Sequence, residues 1–96
     1  MASRFSLQGK HALITGGTRG IGLAIAEGFL ESGASVTICG RKEDGVEVAV
    51  ESLSGYQDSL CGIAAHVGQQ EDRERLLATA SERFGSVNVL LSLIHI

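Results

Sequence analysis

The sequence predicts an α/β fold in which a parallel sheet carries helices on both faces, built in the order β-α-β-α-β-α-β. Three observations carry this. Short apolar, β-branched runs alternate with longer segments of helical period. A glycine-rich stretch, TGGTRGIG (15–22), lies where the first such run gives way to the first helical segment. The chain has 13 glycines and no proline, which fits close backbone approaches at defined places better than flexible linker. Strands separated by helices require crossovers, and crossovers of this kind are right-handed. The expected architecture is a parallel sheet of doubly wound type.

The elements follow in turn. HALIT (11–15) is a short buried run ending at two glycines, hence the first strand. IGLAIAEGFLESG (21–33) places Ile21, Ala24, Ile25, Gly28 and Phe29 on one helical stripe, and Gly33 stops it. ASVTICG (34–40) is the second strand. EDGVEVAVESLSG (43–55) reads as a helix, although its valines also suit a strand. SLCGIAAHV (59–67) is the third strand. QQEDRERLLATASERFG (69–85) is the clearest helix: acids lead it, Leu76, Leu77, Ala80 and Phe84 share a face, and Gly85 ends it. VNVLL (87–91) is the fourth strand.

Composition narrows the function classes. The 96 residues suit one small domain. A net charge of -3 gives no general attraction to nucleic acid or to an anionic membrane. No run approaches the roughly 18 apolar residues of a membrane span, and MASRFSLQGKHA (1–12) contains no signal-peptide core. Cys39 and Cys61 have no metal-ligand spacing and read as two reduced thiols. No metal is expected.

The turn at 15–22 carries the chemistry. Gly16 lets the chain turn with dihedrals that a Cβ resists. Gly20 leaves room for a phosphate against the backbone, and Gly22 lets the helix pack closely on the sheet. The free N–H groups of the first helical turn, at Gly20, Ile21 and Gly22, then face an anion, and Thr18 can add a hydroxyl.

This TGxxxGxG turn, followed by a VTxxxR-type second strand, resembles the short-chain dehydrogenase/reductase family over residues 6–91. The resemblance implies the N-terminal part of a Rossmann doubly wound parallel sheet with strand order 3-2-1-4, and a nicotinamide cofactor. HVGQQEDRERLLATA (66–80) is similar to an NADP-dependent carbonyl- and retinal-reducing subfamily usually found in peroxisomes, and GKHALITGGTRGIG (9–22) also resembles tropinone-reductase-type members. NADP is the expected cofactor. No acid stands between 38 and 42, where an NAD-selecting aspartate would lie; Gly40 occupies that place, and Arg41 and Lys42 follow it. Arg19 in the glycine turn adds a second guanidinium suited to phosphate. The rival reading has Glu43 or Asp44 bind the ribose, with NAD as cofactor. At the end of the third strand the family commonly has Asp-Val. Here His66 replaces the aspartate, with an imidazole nitrogen able to accept from the adenine amine, and Val67 can offer its backbone.

The resemblance also implies what to look for in catalysis: an asparagine, a serine, and a tyrosine followed four residues on by a lysine. These are expected beyond residue 96. Tyr56, the only tyrosine, has no lysine at that spacing and reads as a surface or packing residue; Ser92 and His95 have no triad context. The family's fourth strand continues VNNAG, but from residue 91 this chain reads LSLIHI. Those six residues are the translation of CTGTCTCTTATACACATC, a transposon end used in sequencing-library preparation. Residues 1–90 are therefore expected to be the N-terminal part of an NADP-binding domain, and 91–96 a non-native tail. The implied parent reduces a ketone, aldehyde or retinoid to an alcohol, reversibly, as a homodimer or homotetramer, in cytoplasm or peroxisome. The alternative, suited to the 96 residues alone, is a non-catalytic nucleotide-binding or interaction module.

Overall fold

The computed structural model describes residues 7–16 and 20–92. Strands β1 (His11–Thr15), β2 (Ser35–Gly40), β3 (Leu60–Ala64) and β4 (Val89–Ser92) form a wholly parallel sheet in the order β3-β2-β1-β4. Helices α1 (Gly20–Glu31), α2 (Glu43–Ser52) and α3 (Gln70–Phe84) make the crossovers. The parallel pairing is what the alternating pattern predicts, and the order is the one that the resemblance implies.

Side-chain alternation along each strand sends its residues to two cores. On one face Ala12, Ile14, Val36, Ile38 and Leu60 pack against Ala26 and Leu30 of α1 and Ala49 of α2. On the other, Leu13, Cys39, Ile63 and Ala65 pack against Leu76 of α3. Helices thus cover both faces. Every residue of β1 is buried, which is why its sequence is a continuous run and not an alternation. Leu13 and Ile14 are among its fully buried side chains, each worth roughly 1.5–3 kcal/mol in removed apolar surface.

The structure corrects several details. The buried residues of α1 are Gly22, Ala26 and Leu30, with Leu23, Ile25 and Phe29 partly buried, whereas Ile21, Ala24 and Gly28 are exposed. The helix is apolar nearly all round, so periodicity does not fix its phase; the sheet selects small residues at 22 and 26, which allow close approach. On α3, Leu76 and Ala80 are buried but Leu77 is exposed. Helix α2 ends at Ser52, and Leu53 turns into the core. A 3-10 segment, Ser54–Ser59, follows, where Ser54 and Gly55 favour turn over helix. Its Tyr56 packs partly buried against the α1/α2-side core. β3 ends at Ala64 because β2 leaves the sheet after Gly40; the Ala65 N–H donating to the Gly40 carbonyl at 2.9 Å is the last rung. β4 pairs through Ser92, opposite Thr15, so Leu91 and Ser92 continue the ladder.

Candidate nucleotide-binding site

In a parallel sheet the carboxyl ends of the strands lie along one edge. Here the chain steps from β1 to β2 to β3 on one side, then crosses over to set β4 on the other side of β1. A crevice opens where the order reverses, between β1 and β4. The loops after β1, β2 and β3 all lie at this edge, and they hold the residues singled out from the sequence.

After β1, Gly16 has φ 78° and its N–H donates to the Cys39 carbonyl at 2.9 Å. Gly20 opens α1 with φ 59°, and a Cβ placed there would meet nothing within 4 Å. Packing therefore does not demand a glycine at 20. The left-handed backbone does, and the space beside it is open. The first turn of α1 carries no acid, so no carboxylate competes for its N–H groups. Gly22 is buried, and the Ile21 side chain stands 76% exposed. Thr18 and Arg19 lie outside the described residues.

After β2, Arg41 and Lys42 are exposed, and Lys42 takes the extended N-cap position of α2. Glu43 and Asp44 form the first turn of α2, where the helix dipole favours acids. Glu43 lines a groove between α2 and β3, with Val46, Gly62 and Arg75. Helix initiation accounts for both acids.

After β3, the chain is held by α3. Asp72 Oδ2 accepts from the His66 N–H at 2.7 Å, Arg73 Nη1 donates to the Val67 carbonyl at 2.8 Å, and Arg75 Nη2 donates to the Ala64 carbonyl at 2.8 Å. Gln69 N–H caps the turn on the His66 carbonyl at 2.9 Å. This brings His66 Nε2 to 3.2 Å from Arg41 Nη2, while His66 Nδ1 accepts from the Gly68 N–H at 3.2 Å. The structure thus joins Arg41 and His66, from two different loops. Asp72, Arg73 and Arg75 escape sequence reading because charges in the first turns of an acidic-then-basic helix look like a solvated face. The one available signal is that two of the three are arginines, whose planar forks suit carbonyl clamping. No cluster of three or more potential metal ligands occurs among the described residues.

Comparison with known proteins agrees with this geometry. Bovine dehydrogenase/reductase SDR family member 4 is 47% identical over 92 residues, covering 96% of this chain and 33% of the relative. The chain thus spans about a third of the length of the curated relatives it matches. Among solved structures, the Pseudomonas aeruginosa RhlG/NADP active-site complex superposes with a TM-score of 0.85 at 35% identity, covering 100% of this chain and 38% of that one. The Brucella melitensis 3-ketoacyl-(acyl-carrier-protein) reductase complexed with NADH gives 0.81 at 34% identity, covering 88% and 34%. The model of the short chain dehydrogenase family matches residues 10–92, nearly the whole chain. With the glycine turn, the sheet order and the strand-end crevice, this match places the chain in the short-chain dehydrogenase family.

Proposed function

We propose that the chain is the cofactor-binding portion of an NADP-dependent oxidoreductase that reduces a ketone, aldehyde or retinoid carbonyl to an alcohol, reversibly. Both NADP and NADH occur in the solved relatives, so the choice rests on this chain's own residues. The observation that carries it is at the end of β2: no acid stands between 38 and 42, and the Arg41 guanidinium lies beside the β3 loop. Arg41 and Lys42 would take the 2′-phosphate. Gly16, Thr18, Arg19, Gly20, Ile21 and Gly22 would hold the pyrophosphate, Val67 the adenine, and His66, beside Arg41, the 2′ side of the ribose. The open space beside Gly20 supports this fit, since it leaves a phosphate room against the backbone. When bound, the cofactor supplies the hydride; the chain's residues bind and orient it.

The carbonyl chemistry is supported by likeness to the 3-ketoacyl-(acyl-carrier-protein) reductase at 34% identity, and the reductase direction also by likeness to dehydrogenase/reductase family member 4 at 47%. In the proposed parent the protein is a homodimer or homotetramer of cytoplasm or peroxisome, acting on a small carbonyl or alcohol. One observation favours a second reading for the 96 residues by themselves, a nucleotide-binding module without catalysis. Tyr56 packs against the core and is followed at the fourth position by Leu60, so no tyrosine-lysine pair is present.

The test is Arg41→Asp with calorimetric titration of NADP and NAD. Losing a charge-assisted partner of about 1.5–3 kcal/mol should cut the NADP preference by about tenfold or more. An unchanged ratio overturns the cofactor assignment. NADPH oxidation by a carbonyl substrate separates the two readings, being absent for a binding module.

A further inference from the structure

We propose that His66 is a second donor to the ribose 2′-phosphate, its Nε2–H and the Arg41 guanidinium forming a two-donor clamp; this rests on the NADP reading above.

The argument begins with the seat of the imidazole. His66 Nδ1 accepts from the Gly68 N–H at 3.2 Å. A Cβ built on Gly68 would stand 2.9 Å from His66 Cε1 and 3.1 Å from Nδ1. The ring therefore lies directly over residue 68, in a place that exists because that residue has no side chain. The backbone beneath it is pinned at both ends, by Asp72 on the His66 N–H and by Gln69 on its carbonyl.

A neutral imidazole has one accepting nitrogen. Once Nδ1 serves Gly68, the proton sits on Nε2. Nε2 is 3.2 Å from Arg41 Nη2, and a guanidinium only donates. Two N–H donors thus face each other at hydrogen-bond distance. Moving the proton to Nδ1 transfers the conflict to the Gly68 N–H, and a second proton makes both nitrogens donors. No protonation state of His66 serves both neighbours. An acceptor set beside the pair does, and a phosphate offers several oxygens to the two donors.

The surroundings fit an anion. Lys42 follows Arg41 directly. Asp72, the α3 carboxylate that reaches this loop, is engaged by the His66 N–H and lies 3.9 Å from Arg75 Nη2. The pair stands at the end of β2, where the ribose of a dinucleotide lies in a sheet of this order. The same reasoning removes the expected acceptor role toward the adenine amine, which would add a third donor.

The probes are adenosine 2′,5′-bisphosphate and 5′-AMP, titrated calorimetrically into the full chain. His66→Phe keeps a ring and removes the donor. It should weaken the bisphosphate by about tenfold, the size of one charge-assisted hydrogen bond, and leave 5′-AMP unchanged. Gly68→Ala should act in the same direction by unseating the ring, with far-UV circular dichroism unaltered. Nitrogen-15 shifts of His66 should show Nε2 protonated, with its proton moving on addition of the bisphosphate and not of 5′-AMP. Equal loss of both nucleotides would place His66 on the adenine and overturn the clamp. An unchanged ratio in His66→Phe, with the ratio still lost in Arg41→Asp, would overturn the clamp and leave the NADP reading standing. A wild-type chain that does not prefer the bisphosphate overturns both.

Discussion

Asn88 holds the backbone of His11 from both directions: its Oδ1 accepts from the His11 N–H, and its own N–H donates to the His11 carbonyl, each at 2.8 Å. The residue thereby sets the first rung of the β1–β4 ladder, one position before Ala12 meets Val89. His11 is itself fixed on the other side. Its Nδ1–H donates to the Gly85 carbonyl at 3.1 Å, its Nε2 accepts from the Thr37 hydroxyl at 2.8 Å, and its ring meets the edge of Phe84 at 5.2 Å. A buried imidazole with both nitrogens satisfied joins β1, β2 and the end of α3.

Asn88→Ala should therefore cost about 1 kcal/mol, the net worth of one hydrogen bond. The effect should be local. Amide exchange at Leu90 and Leu91 should quicken while exchange in β2 stays slow. Unchanged protection in β4 would show that the strand holds its register without Asn88.

Gly62 is the point where α2 touches the sheet. A Cβ there would lie 2.5 Å from Val50 Cγ2 and 2.6 Å from Val46 Cγ1. Gly62→Ala forces α2 outward or the valines off their rotamers, an overpacking cost of about 1–3 kcal/mol. Adding Val50→Ala should return part of that loss, and adding Val48→Ala, on the exposed side of the helix, should return none. Urea unfolding of the three variants checks the order.

Burial pushes the thiols of Cys39 and Cys61 up from the usual cysteine range. The sign follows directly. Below the ordinary thiol value, about 8.5, folded and unfolded chains both hold the protons and stability is flat. Above it the unfolded chain loses protons that the folded chain keeps, so stability falls as pH rises through the raised value. For the fully buried Cys39 the slope should not exceed about 1.4 kcal/mol per pH unit. Cys39→Ala should flatten the alkaline limb of a stability-against-pH curve; a limb of unchanged slope would assign it to other groups. Thiol labelling should also find Cys39 protected until unfolding.

The parallel sheet with helices on both faces was legible from the alternating runs and the right-handed crossover; the order 3-2-1-4 came with the resemblance carried by the glycine turn, and both cores follow once β1 is central. The phase of α1 was not, since apolar residues surround it and only contact with the sheet selects Gly22 and Ala26. Arg41 was legible as the candidate for the phosphate proposal, from the missing acid at 38–42. Its meeting with His66, 25 residues on, was not, because it depends on β2 and β3 being neighbours and on Asp72 pinning the loop. Thr18 and Arg19 lie outside the described residues, so their part in the glycine turn remains a proposal drawn from sequence.

The last prediction concerns the α3 face. Among the described residues β4 forms one edge of the sheet, and an edge strand offers unpaired backbone groups to another chain. Leu90 on that strand is 61% exposed, and Leu77 on α3 is 47% exposed. Both border a crevice floored by Leu13 and Leu76, with Thr15 and Ser92 at its upper end. On the opposite face α1 and α2 share the cover, whereas α3 stands alone here. Apolar surface beside an open parallel edge drives association, so the 96-residue chain should self-associate. Leu90→Lys places a charge on the edge, and Leu77→Glu places one on the crevice rim. Each removes a leucine contact worth roughly 1.5–3 kcal/mol when fully buried, which moves an association midpoint by about tenfold or more. Sedimentation velocity over a concentration series should show the wild type as oligomer and the double variant shifted toward monomer. A wild type that stays monomeric across the series, unfolding cooperatively in urea, would mean that one helix covers this face well enough.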